Sequence, residues 1–172
     1  ALLLYTGILA DTGSFKYSTT SSWTHLVTSE LLKHSLDVYG IYRRLYESMP
    51  FETMKAFGKI ISTLKTNASG KVAWLEIRNH LIRKNPTLAE QTDEIIRFAR
   101  SIKGVEVALL FKEIRPNREI RVNMRSRDRV DVNKLAKIFG GGGHVMASGC
   151  TLRGRFQDVV AKVVAEAEKR AA

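Results

Sequence analysis

Cysteine is nearly missing from this chain. The 172 residues hold one, Cys150, which excludes an internal disulfide and any zinc cluster built from cysteines. It lies between Gly149 and Thr151 and reads as a small strand residue. No apolar run reaches the length of a membrane span. The opening Ala1-Leu2-Leu3-Leu4-Tyr5 is too short for a signal peptide and lacks its basic flank. There are neither internal repeats nor low-complexity segments. Acidic residues are in short supply, 17 against 28 Lys plus Arg, for a net charge of +11. These absences lead to the expectation of a soluble, cytoplasmic protein with no membrane partner.

The positive excess is unevenly placed. Residues 1–54 carry four basic and five acidic side chains, residues 55–172 the other 24 and 12, and residues 112–137 alone nine and four. Such asymmetry points to a polyanionic partner, with a plain solvated basic face as the alternative. A length of 172 residues at 44% hydrophobic allows one good core, or one domain with a piece of another.

Residues 1–9 begin with an apolar run that reads as a buried parallel strand, followed by 45 residues of helical pattern with no strand to pair with it. The expectation is therefore a fragment, residues 1–49 being the C-terminal end of a parallel-sheet domain. Ser48-Met49-Pro50 punctuates the pattern, and a linker helix is expected over 50–65. Residues 66–172 then read as a smaller α/β domain with a mixed sheet of four or five strands. Its strands are expected at 71–77, 105–114, 119–125 and 147–153. Helices are expected at 92–102, at 132–139 behind Asp131 as N-cap, and from Phe156 onward.

Chemistry concentrates in three places. Gly140, Gly141, Gly142 and Gly143 precede His144, between a helical pattern and a strand; such a loop can turn several amides toward one phosphate. A helix C-cap with a mobile turn is the plain alternative, and it accounts for Gly140 alone. In the strand 119–125, Arg121, Asn123 and Arg125 share one face, with Ser126 and Arg127 at its end, a donor set for phosphates and base edges. Arginine on an exposed strand also serves solubility or edge protection. Asp11, in Asp11-Thr12-Gly13, suits a hard divalent cation, or simply a turn or cap. His25, His34 and His80 have no partner at ligand spacing and read as structural or surface residues.

The string from Tyr5 to Phe15, YTGILADTGSF, resembles the last motif of the DHH phosphoesterase domain. Arg125-Ser126-Arg127 and the glycine-histidine run with Ala147 and Gly149 resemble its associated C-terminal substrate domain. Together with Arg43-Arg44-Leu45-Tyr46-Glu47-Ser48, the likeness runs along essentially the whole chain and is to the bacterial nanoRNase type of this family. It implies a manganese-dependent oligoribonuclease that releases 5′-mononucleotides and also dephosphorylates 3′-phosphoadenosine 5′-phosphate. By the resemblance, Asp11 is a catalytic ligand of a two-manganese centre. Arg125, Ser126, Gly140 to Gly143 and His144 hold the phosphate and terminal nucleotide, with Asn123 and Arg121 as looser candidates. Expected partners are short RNA oligonucleotides or nucleotide phosphates, and a second copy in a homodimer.

The alternatives are a cyclic-dinucleotide phosphodiesterase of the same family and a non-catalytic nucleic-acid-binding module. Two departures stand out. Ser148 replaces an alanine of the family pattern, a change expected to disturb packing little. The Asp-His-His that names the family does not occur in this sequence, so catalysis is expected of a longer parent and not of this chain alone.

Overall fold

The fold is taken from a computed structural model that describes residues 1–89, 91–127 and 129–171. The chain divides into two compact units, Ala1–Pro50 and Phe51–Ala172.

The first unit is three helices, α1 (Leu2–Asp11), α2 (Ser22–Leu32) and α3 (Val38–Tyr46). The strand expected at 1–9 is thus a helix, and this unit contains no strand. An unbroken apolar run has no period that separates a buried strand from a helix. Here leucine and alanine outnumber β-branched residues, which favours the helix. Tyr5 and Leu9, one turn apart, enter a small core with Ile41, flanked by Phe15, Leu31 and Leu36. The Tyr46 hydroxyl donates to the Leu9 carbonyl at 3.0 Å and ties α3 to the end of α1. Ser21 and Thr24 form a reciprocal capping box on α2, and the Asp37 carboxylate accepts from the Gly40 amide on α3.

The second unit is built on one mixed sheet. Its strands are β1 (Lys65–Thr66), β2 (Val72–Ile77), β3 (Val107–Arg115), β4 (Glu119–Ser126), β5 (Gly142–His144) and β6 (Ala147–Leu152). Their spatial order is β1-β2-β3-β4-β6-β5. The β2–β3 pair is parallel and the others antiparallel. The chain crosses from β2 to β3 through α5 (Asn79–Lys84), a 3-10 turn at Pro86–Ala89 and α6 (Thr92–Arg100). The two strands beyond the expected four are β1, of two residues, and β5, which is the glycine segment itself.

Strand alternation sorts the side chains onto two faces. On one, Val72, Val107, Leu109, Phe111, Ile120, Val122, Met124 and Cys150 pack against α7 (Val132–Ile138) and α8 (Phe156–Ala171). Phe156 anchors that layer, edge-on to Phe111 with ring centroids 6.5 Å apart, and the Arg78 guanidinium covers its ring at 4.2 Å. On the other face, Ala73, Leu75, Ile77, Ala108 and Leu110 are fully buried. They lie on the side that α4 (Phe51–Ile61) and α6 cover with Phe57, Ile60, Ile95 and Ile96. That cover is centred on β2 and β3. No helix among the described residues is long and apolar enough to cross a membrane.

Candidate nucleotide-binding face

The less covered half of that second face, from β4 to β5, carries the polar residues. Register places them in rows across the strands. One row runs Ala108, Arg125, Ala147, His144; the next Leu110, Asn123, Gly149, Gly142; the third Lys112, Arg121, Thr151. Residues paired directly across an antiparallel ladder project to the same side. Arg121, Asn123 and Arg125 therefore stand in line on β4, beside a low floor of Gly149 and Ala147. Together with Gly142 and Thr151 they line an open depression of about 270 Å³. Arg121 and Arg125 are four residues apart, about 13 Å along the strand. His144 is exposed at the edge, on the Arg125 row.

Electrostatics sharpen the picture. Lys112 is buried beneath this face and donates to Thr92 Oγ1 at 2.7 Å. Burial lowers its pKa, Arg121 directly across the ladder lowers it further, and Asp93 partly opposes them. Arg125 is fixed by two contacts: Nη1 donates to the Met124 carbonyl at 3.0 Å, and Nη2 pairs with Asp93 in the first turn of α6. A guanidinium has five N–H donors, so the rest of the fork is left for a ligand. Like charges set opposite each other destabilise a bare ladder. Lys112 and Arg121 make sense beside a bound anion.

Lys112, Thr92 and Asp93 were not among the expected site residues. Lys112 had a signal, since it breaks the otherwise apolar stretch Val107–Phe111. Thr92 and Asp93 reach the face only because the crossover returns α6 over β3 and β4, which no local pattern records.

The glycine run differs from the expected cradle. Asp131 caps α7 by accepting from the amides of Asn133 and Lys134. At the other end the Gly140 amide donates to Lys137 O and the Gly141 amide to Ala136 O, the paired bonds of a Schellman cap, with Gly140 at φ +71°. Those two amides are therefore engaged within the fold and do not face a phosphate. Gly141 also passes so close to β6 that a Cβ there would lie 2.2 Å from Gly149 O. The plain reading accounts for more of the run than Gly140 alone. Gly142 lines the depression, and Gly143 and His144 continue the edge strand. Ser148 is no idle replacement: its hydroxyl donates to His144 O at 2.7 Å across the hairpin.

Ser126 is separated from Arg125 by strand alternation. It is buried on the core-side row, its hydroxyl 3.5 Å from both Val145 O and Met146 Sδ, and it lines a different depression. Asp11 ends α1 with its side chain exposed, so it does not stand at a strand end. Among the described residues no group of three His, Cys, Asp or Glu is placed to hold a metal ion. The described residues do not build a two-metal centre, and Asp11 is a single exposed carboxylate. Cys150 is buried, and burial raises its thiol pKa to about 11, which makes it a packing residue.

Residues 85–172 match the DHHA1 domain. A probable bifunctional oligoribonuclease and PAP phosphatase of Streptococcus mutans is 36% identical over 149 residues, covering 87% of this chain and 47% of that protein. The bifunctional oligoribonuclease and PAP phosphatase of Thermus thermophilus is 30% identical over 162 residues, covering 94% and 48%. The chain thus spans about half the length of these relatives. A solved structure of an exopolyphosphatase-related protein from Bacteroides fragilis superposes with a TM-score of 0.85 at 26% identity, covering 97% of this chain and 49% of that one. A pGpG-specific phosphodiesterase from Vibrio cholerae shares the fold, with a TM-score of 0.52 at 16% identity, over 96% of this chain and 56% of the other.

Proposed function

This chain belongs to the DHHA1 domain family, and from that premise we propose that it is the nucleotide-gripping portion of a phosphoesterase. Its substrates on this reading are short oligoribonucleotides and 3′-phosphoadenosine 5′-phosphate, the class to which the names of its relatives point. The observation that carries the reading is the open depression in which Arg121, Asn123 and Arg125 stand beside a glycine-alanine floor, next to the buried Lys112.

The parts divide the work. Arg125, held by Asp93 and the Met124 carbonyl, offers its remaining donors to a phosphate without losing further rotamer freedom. Arg121 and Lys112 place a second patch of positive charge at the other end of the row. The low floor at Gly149 and Ala147 admits a ribose or base, and Asn123 supplies an amide for its polar edge. His144 adds a donor at the rim, with its backbone fixed by Ser148. Fixing the terminal nucleotide presents one ester bond for in-line attack. In a longer protein that carries further ligands, Asp11 would help to hold a divalent metal centre, whose chemistry would be to activate a water and stabilise charge on the phosphorus. Asp11 is the ligand this chain brings to such a centre.

The test is binding of a labelled RNA dinucleotide to the 172-residue chain, followed by Arg125→Ala and His144→Ala. Arg125→Ala is expected to weaken binding about tenfold or more, since a hydrogen bond to a charged group contributes about 1.5–3 kcal/mol. His144→Ala is expected to have a smaller effect in the same direction. Unchanged affinity in both variants would sink the assignment. Manganese-dependent release of 5′-mononucleotide is expected from a longer protein that contains this chain, and its loss in Asp11→Asn tests the metal-ligand role.

A further inference from the structure

A second depression, of about 340 Å³, opens beyond the end of β4. It is lined by Arg97, Arg100, Ser101, Ser126, Arg127 and Met146. Arg97, Arg100 and Ser101 fall at i, i+3 and i+4, so they share one edge of the α6 C-terminus. Arg127 arrives from the strand side and is held at both ends. Its amide donates to Glu106 O at 3.1 Å, and its Nη2 donates to Arg100 O, also at 3.1 Å. Glu94 pairs with Arg97 at 2.7 Å, but among the described residues no carboxylate pairs with Arg100 or Arg127.

A helix C-terminus attracts basic side chains, and Arg127 satisfies one of its last carbonyls. That explains why each arginine is near the helix end. It leaves unexplained why three guanidinium groups border the same open cavity, where Arg97 alone has a carboxylate partner among the described residues. An oxyanion with several acceptor oxygens completes such a set.

The position of the cavity suggests which oxyanion. Arg125 is tied to Asp93 in the first turn of α6, and Arg127 to Arg100 in its last. Helix and strand end are thus linked twice, and the cavity continues the line of donors along β4. From Arg121 to Arg127 the line is about 20 Å long, more than one nucleotide needs.

We propose that the pocket of Arg97, Arg100 and Arg127 is a second phosphate subsite, taking a further phosphate of an oligonucleotide whose end lies on the Arg121-Asn123-Arg125 face. The inference rests on the reading of that face as the nucleotide grip. The same chemistry would hold the phosphate of a separate nucleotide, and substrate length distinguishes the two.

The experiment compares a labelled RNA dinucleotide with a labelled RNA pentanucleotide, each titrated against the 172-residue chain and its Arg97→Ala/Arg100→Ala variant. Pentanucleotide affinity is expected to fall about tenfold or more, and the slope of log K against log salt to flatten by about 1. Dinucleotide affinity is expected to stay within about twofold. An Arg97→Lys/Arg100→Lys variant, which keeps the charge, is expected to recover most of the pentanucleotide affinity and so separates lost charge from lost fold. Unchanged pentanucleotide binding would overturn the proposal, as would equal weakening of both lengths. Two dinucleotides bound per wild-type chain and one per double-alanine chain would assign the pocket to a separate nucleotide and overturn the continuous path. An Arg125→Ala chain that binds the dinucleotide normally would instead refute the underlying grip.

Discussion

Two halves of one sheet face, joined through β3, do opposite things. On the β2 side, Ala73, Leu75, Ile77, Ala108 and Leu110 are sealed under α4 and α6. On the β4–β6 side, Arg121 is exposed, and Asn123 and Arg125 are half-buried beside Gly149 around an open depression. The boundary falls within β3, where Leu110 is followed on the same face by Lys112. The first half contributes the hydrophobic burial that holds the unit together. The second leaves cations and bare backbone facing solvent, an arrangement that contributes nothing to packing and suits an anionic ligand.

The largest effect that sharpens this contrast is on the sealed half. Leu75→Ala, at a fully buried position, is expected to lose about 2–5 kcal/mol of stability by urea denaturation. Arg121→Ala on the open half is expected to change stability by less than about 0.5 kcal/mol, while weakening dinucleotide binding. Equal stability losses would erase the distinction.

Lys112 tests the boundary itself. Lys112→Met is expected to raise the melting temperature, because an apolar residue replaces a desolvated charge, and to weaken dinucleotide binding. Lys112 titrates below the ordinary lysine value of 10.5 in the folded chain. Between those two values the unfolded chain binds more protons at this site, so its contribution to stability rises with pH. The difference in stability between Lys112→Met and wild type should therefore shrink as pH rises through that window. A constant difference would mean that Lys112 is as well solvated when folded as when unfolded.

The smallest expected effect is at the rim. Ser148→Ala removes the hydrogen bond to His144 O and is expected to lower stability by about 1 kcal/mol. It should also reduce the share of binding that depends on His144, read as a smaller effect of His144→Ala in the Ser148→Ala background.

Local chemistry made much of this legible in advance. The β3–β4 hairpin, the Asp131 cap and the apolar stripe of α8 each rest on neighbours in sequence, and each stands where the pattern placed it. The donor row of Arg121, Asn123 and Arg125 followed from strand alternation alone. Misreadings came where a decision depends on distant partners. An apolar run at residues 1–9 has no period to choose helix over strand. The glycine segment looked like a free loop because the close approach of β6 that demands Gly141 is a tertiary contact. Ser126 seemed to join Arg125 because the two are adjacent in sequence, whereas the pleat sends them to opposite sides.

Asp11 is followed by a feature with its own consequence. After Thr12 the backbone takes three successive left-handed residues, Gly13, Ser14 and Phe15, at φ +55°, +60° and +63°. For Ser14 and Phe15 that conformation costs roughly 1–2 kcal/mol each. Thr12 holds the bend: its hydroxyl donates to Ile8 O at 2.7 Å and accepts from the Phe15 amide at 3.1 Å, and its carbonyl receives the amides of Lys16 and Tyr17. The stretch after the carboxylate is therefore a strained bend held by Thr12 together with the Ser14 amide on Leu9 O and the Gly13 amide on Ala10 O. Stiffness at that point is maintained at the expense of stability, so the backbone that follows Asp11 is set by its hydrogen bonds and not by the conformational preference of its residues.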